Sequence, residues 1–175
     1  LKELRLKLAC NNPTTFIVKF RTIACAALSE ALLIKEICAP DLKIIVLRAL
    51  TDFEIKIAIQ NNFQITKNSI RTLKTADKIA ETENKEIRVH LKVDTGLGRL
   101  GFLPEEISGA LNEITRSKNI ELKSVFSHLA VSYQKHEFSD RQLNIFNEIC
   151  GIVRKKFPEI ICHIAATAGI ISLPE

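Results

Sequence analysis

A chain of 175 residues, 46% apolar and 26% charged, is long enough to bury a core and has the balance of a globular domain. Its net charge of +5 is scattered among acidic residues. No basic stripe with aromatics suggests nucleic acid, and no apolar run reaches membrane-spanning length.

Five cysteines stand at 10, 25, 38, 150 and 162. An odd number without a CxxC pair reads as reduced thiols of a cytosolic protein. Their spacing with the histidines forms no zinc pattern, so no metal is expected. The opening Leu1-Lys2-Glu3-Leu4-Arg5 is no signal peptide. With no methionine there or anywhere, the chain is expected to be cut from a longer one.

Leu1, Leu4 and Leu8 share one helical face, and Asn11-Asn12-Pro13 stops that helix. Thr15 to Lys19 reads as a strand, and Thr22 to Ala26 as another. Leu28 to Glu36 is helical and Lys43 to Leu47 is a short buried strand. Thr51, with Glu54 three residues on, is a capping box for a helix that stops at Asn61-Asn62. Phe63 to Thr66 is a brief strand. Ser69 to Thr82 is helical, with Ile70, Leu73, Ala76 and Ile79 in step.

Ile87 to Val93 is the next strand, and Pro104-Glu105-Glu106 opens a helix. Ile120 to Ser127 is a strand. Ser139, with Gln142 three residues on, is expected to cap a helix that presents Leu143, Phe146, Cys150 and Val153 on one face. Ile160 to Ala165 is the last strand.

Strand alternates with helix throughout, which implies parallel strands joined by helical crossovers, in a doubly wound sheet or a barrel. The pattern supplies about seven strands, where a (β/α)8 barrel has eight in about 250 residues. One joint breaks it. Only Phe20 and Arg21 separate the first two strands, and parallel neighbours need a crossover of roughly a dozen residues. Either this is one long kinked strand, or a connecting helix is missing.

The densest motif is Val89-His90-Leu91-Lys92-Val93-Asp94-Thr95-Gly96-Leu97-Gly98-Arg99-Leu100-Gly101-Phe102. Its residues 96–101 spell GxGxxG, a dinucleotide fingerprint in another setting. Here the preceding strand carries His90, Lys92 and Asp94, where a buried nucleotide-binding strand is apolar. A dinucleotide-binding enzyme stays as an alternative.

The stretch as a whole resembles alanine racemases, which carry HLK-x-DTG-x-GRLGF after a barrel strand. Further matches follow in family order. Phe126-Ser127-His128-Leu129-Ala130 resembles the FSHLA strand end, and His163-Ile164-Ala165-Ala166-Thr167-Ala168 resembles H-x-ANSA. Ile23 to Ala31 resembles the second barrel strand and its helix. Leu1 to Leu8 resembles the helix before the first strand.

The resemblance implies an α/β fold: a partial (β/α)8 TIM-type barrel over 1–175 that lacks its eighth strand and the family's C-terminal β domain. It implies pyridoxal 5'-phosphate (PLP) as cofactor, alanine as substrate, a homodimer in the cytoplasm, and D-alanine supply for peptidoglycan. PLP is an electron sink for the carbanion formed at the α-carbon, and the protein supplies two bases and orientation.

Residue by residue, Lys19 resembles the family lysine that holds PLP and moves the α-proton on one face. Arg99 matches the arginine that approaches the PLP hydroxyl and substrate carboxylate, which a planar guanidinium suits. Lys92 matches the lysine that is carbamylated in many members, and His128 the histidine beside the cofactor ring. Thr167 stands where the family has a phosphate-binding serine, and Ala166 replaces an asparagine. After Lys19, Phe20-Arg21-Thr22 replaces the family's ANAYGHG, which points to a deletion at the joint that broke the strand pattern.

The family's second base is a partner-subunit tyrosine, and the only tyrosine here, Tyr133, matches no motif. His90, His136 and His163 receive no role. The expectation is a domain that by itself does not racemise alanine. A non-catalytic PLP-binding module and a decayed gene product are the other readings.

Overall fold

The computed structural model describes residues 21–38, 40–134, 136–164 and 168–169. Six strands alternate with five α-helices in that span. They are β1 (Thr22–Cys25), α1 (Leu28–Ile37), β2 (Lys43–Val46), α2 (Asp52–Gln60), β3 (Gln64–Lys67) and α3 (Ile70–Thr82). After these come β4 (Ile87–Lys92), α4 (Ile107–Arg116), β5 (Ile120–Phe126), α5 (Glu137–Arg154) and β6 (Ile161–His163). The expected helix over 1–8 and strand over 15–19 lie outside the described residues.

All strand pairs are parallel and the spatial order is β1-β2-β3-β4-β5-β6. The sheet curls into a partial barrel with the helices packed against it. Each crossover returns the chain to the neighbouring position, so the C-terminal ends of all six strands form one rim. In barrels of this kind that rim carries the chemistry.

Strand alternation sorts the side chains. On β4, Val89 and Leu91 belong to the buried core shared with the helices, which includes Ile65, Leu73, Ala76, Leu111, Ile114 and Phe146. Arg88, His90 and Lys92 alternate with them and take the other face of the sheet. The helix faces fit the same core. On α3, Leu73, Ala76 and Ala80 are buried, and on α4, Ile107, Ala110, Leu111 and Ile114 are.

The capping box at α2 is built as expected. The Glu54 N–H donates to Thr51 Oγ1 at 3.3 Å, and the Thr51 N–H donates to Glu54 Oε2 at 2.9 Å. Ser69 caps α3 by accepting from the Thr72 N–H. One start differs. Helix α5 begins at Glu137 with His136 at its N-cap, so Ser139 lies inside the helix. Its hydroxyl donates instead to the Val131 carbonyl at 2.6 Å. The helix expected from Pro104 begins as a 3-10 turn over Pro104–Glu106 and becomes α-helical at Ile107.

One side chain runs against the sorting. Lys67 pairs with Leu91 in register, so it lies on the helix-facing side, and it is only 2% exposed. Burial lowers its ammonium pKa to about 8, which the carboxylate of Asp52 partly opposes. The four described cysteines are free thiols. Burial, and then contact with Cys162, push the Cys150 thiol up to about 12.

Candidate active site

The site is assembled where β4 and β5 end. Beyond Lys92 the chain leaves the sheet, loops through 94–101 and comes back. Phe102, fully buried, bridges Val93 and closes the loop, its N–H donating to the Lys92 carbonyl at 2.8 Å and its carbonyl accepting from the Asp94 N–H at 2.9 Å.

Inside the loop the carboxylate of Asp94 is the organiser. Its Oδ1 accepts from the Gly96 N–H at 2.9 Å and the Gly98 N–H at 3.1 Å. Burial works against its ionisation. The N–H groups of Gly96, Gly98, Arg99 and Leu97 outweigh that and hold the carboxyl below its usual range. Two of the amides that a nucleotide fingerprint would offer to a pyrophosphate are thus spent on this carboxylate. Gly101 closes the turn at φ +150°, and a Cβ there would sit 2.3 Å from the Asp94 backbone nitrogen. Only glycine suits the position.

Three of the expected site residues meet at this rim. Lys92 is buried and His128 half-buried, while Arg99 reaches out from the loop and is exposed. Burial lowers the Lys92 pKa, the charge of Arg99 adds to that, and Asp94 opposes it. Burial also lowers His128, and the charges of Arg99 and Lys92 add to the effect. Each basic group therefore feels the others. Among the described residues no carboxylate closes an ion pair with any of the three. Lys19 and Thr167 lie outside the described residues.

Beneath the rim is a polar network that no motif announces. His90 Nε2 lies 2.7 Å from Gln64 Oε1, and His90 Nδ1 lies 2.6 Å from Ser124 Oγ. A carbonyl oxygen only accepts, so the proton sits on Nε2, and Nδ1 accepts from the serine hydroxyl. Burial lowers His90 to about 4, with His163 and Lys123 adding to the effect. The neighbouring Thr66, in register with His90, has a buried hydroxyl with no hydrogen-bond partner. His163 lies flat against Phe126, ring centroids 5.2 Å apart.

Two hollows lie away from these three side chains. One of about 350 Å3, lined by Lys43, Arg88 and Glu121 among others, opens where the strands begin. One of about 470 Å3, lined by Leu50, Asp52, Ile55 and Arg71 among others, lies between α2 and α3. Neither is lined by Lys92, Arg99 or His128.

Residues 15–175 match the family model described as alanine racemase, N-terminal domain. The chain belongs to the alanine racemase N-terminal domain family. An alanine racemase of Chlorobaculum tepidum is 33% identical over 137 residues, which covers 78% of this chain and 36% of that protein. One of Clostridium tetani is 31% identical over 156 residues, covering 87% of this chain and 40% of that protein. This alanine racemase-like domain thus spans well under half the length of these relatives.

The fold is shared as well. An alanine racemase of Clostridium difficile 630, solved in complex with cycloserine, superposes with a TM-score of 0.82 at 23% identity. The match covers 90% of this chain and 44% of that one. The partial barrel therefore shares the fold of the racemase N-terminal domain.

Proposed function

We propose that this domain contributes the PLP-binding barrel of an alanine racemase, the isomerase that interconverts L- and D-alanine to supply peptidoglycan in the cytoplasm. The convergence of Lys92, Arg99 and His128 at one rim, none of them in an ion pair with a carboxylate among the described residues, carries the reading. Basic groups that lower one another's pKa suit an anionic ligand, and both PLP and an amino-acid carboxylate are anionic. The donor set fits the cofactor on that side.

When bound, PLP supplies an electron sink for the carbanion left at the α-carbon. The residues do the rest. Arg99, planar and permanently charged, orients a carboxylate or a phenolic oxygen by paired N–H donors. Lys92, its pKa lowered, is the group on this rim suited to become a carbamate and hold Arg99. His128, its pKa lowered by burial and by the charges of Arg99 and Lys92, would face the cofactor ring. Lys19 would hold the cofactor and move the α-proton on one face, and Thr167 would help hold the phosphate. In the whole protein the other face belongs to a tyrosine of the partner subunit in a homodimer. No residue here matches that second base.

Titrating the purified chain with PLP tests this. The absorbance band of the lysine-bound cofactor is expected in the wild-type chain and not in Lys19→Ala. Conversion of L-alanine to its enantiomer is expected to stay at the level of that variant. Absence of the band would overturn the cofactor assignment, and thermal stabilisation by NAD without PLP would select the nucleotide alternative. Racemisation clearly above Lys19→Ala would overturn the claim that this domain alone is inactive.

A further inference from the structure

We infer that Gln142 is the positioning residue of this rim, a single amide that ties the loop carrying Arg99 to the strand end carrying His128. The proposal deepens the racemase reading, since it takes from that reading what Arg99 and His128 do. The clamp itself rests on geometry alone.

Gln142 lies in the second turn of α5 and is 1% exposed. Its Nε2 donates one hydrogen to Thr95 Oγ1 at 3.2 Å and the other to the His128 carbonyl at 3.1 Å. Its Oε1 accepts from the Ala130 N–H at 2.9 Å. Both donors and the acceptor are thus used, and they go to two different loops. The contacts to His128 and Ala130 hold the backbone at and just beyond the imidazole. The contact to Thr95 holds the residue between Asp94 and Gly96, where the Arg99 loop starts.

The bond directions leave little freedom. An amide nitrogen only donates, so Thr95 Oγ1 accepts from Gln142 and its own hydrogen is free for Ser127 Oγ, 2.9 Å away. Ser127 in turn donates to the Val93 carbonyl at 2.8 Å. The chain runs one way, from Gln142 through Thr95 and Ser127 to the end of β4. A carboxylate at 142 would demand the Thr95 hydrogen. Ser127 would then have to serve both Thr95 and Val93 with one hydrogen, so one bond is lost. The same helix also packs on the loop. A Cβ on Gly96 would lie 3.1 Å from Phe138 and 3.8 Å from Gln142.

A purely structural residue would cost stability when replaced and leave the His128 environment alone. The test therefore reads His128 itself. Its imidazole titration is followed by NMR in the wild-type chain, in Gln142→Met, which keeps the length and removes the polar arms, and in Ser139→Ala. The last removes a neighbouring α5 bond that does not touch His128.

The His128 midpoint, lowered in the wild type by burial and by the charges of Arg99 and Lys92, is expected to rise towards its ordinary value in Gln142→Met. It is expected to stay put in Ser139→Ala. An unmoved midpoint in Gln142→Met, or an equal rise in both variants, overturns the proposal. If Gln142→Met does not fold, hydrogen exchange in the wild type decides. The Ala130 amide is expected to exchange far more slowly than its neighbours at 131 and 132, and exchange at their rate overturns the clamp. PLP titration of the same proteins separates the two readings. A wild-type chain that binds no PLP sinks the cofactor assignment and leaves the clamp standing.

Discussion

Lys67→Met should make this domain more stable, and by an amount that depends on pH. The side chain is buried on the helix side of β3. A fall in pKa from 10.5 to about 8, at about 1.4 kcal/mol for each tenfold change, corresponds to about 3 kcal/mol. The folded state binds this proton more weakly than the unfolded state. The penalty is therefore complete below pH 8 and disappears as the pH rises past 10.5.

Methionine keeps the length and carries no charge, so its packing difference is a constant offset across pH. Asp52 is exposed and loses little when its distant partner goes. Urea unfolding followed by far-UV circular dichroism, at pH 7 and at pH 10.5, measures both proteins. The advantage of the variant should shrink by about 3 kcal/mol between the two pH values. A difference that does not change with pH, or a variant less stable at pH 7, would show that the ammonium is not carried at a cost.

The same linkage, in a lower pH window, acts at His90, also buried. Its folded pKa is lowered from 6.5 to about 4, so the stability it contributes is complete above pH 6.5 and is lost as pH falls towards 4. That amounts to about 3 kcal/mol, and an acid limb in urea midpoints that is no shallower in His90→Asn would contradict it. Gly101→Ala should cost at least about 2 kcal/mol, because the new Cβ meets backbone at a positive φ. A thermal melt that coincides with the wild type would show that the 94–101 loop adjusts without strain.

What is legible in the sequence is mostly local. The Thr51–Glu54 box needs partners three residues apart, and both are visible in the chain. The order of strands and helices follows from runs of a few residues each. The motif from Val89 to Phe102 is likewise one continuous piece, so Lys92 and Arg99 stand out from the chain alone. His128, from the next strand, joins them through its own short motif.

The features that escape such a reading share a physical cause. Gln142 stands three residues after Ser139 and looks like half of a capping box, yet its partners are Thr95, His128 and Ala130. No local pattern names a hydrogen bond to a residue far back in the chain. His90 looks ordinary because Gln64 and Ser124 come from two other strands. Lys67 draws no notice because β3 reads Gln-Ile-Thr-Lys, polar on both faces. Alternation says which residues share a face, but not that helices cover it.

The strand order has a consequence for how the chain is made. Each strand from β2 to β6 lies beside the one synthesised just before it, so none of these described strands must wait for a distant segment to find its place. A nascent chain can add one strand-helix unit at a time to the free edge of what has already folded. The rim that holds Lys92, Arg99 and His128 is the exception. Its Arg99 loop is emitted first and waits for Gln142 of α5, forty-seven residues beyond Thr95, to hold it still.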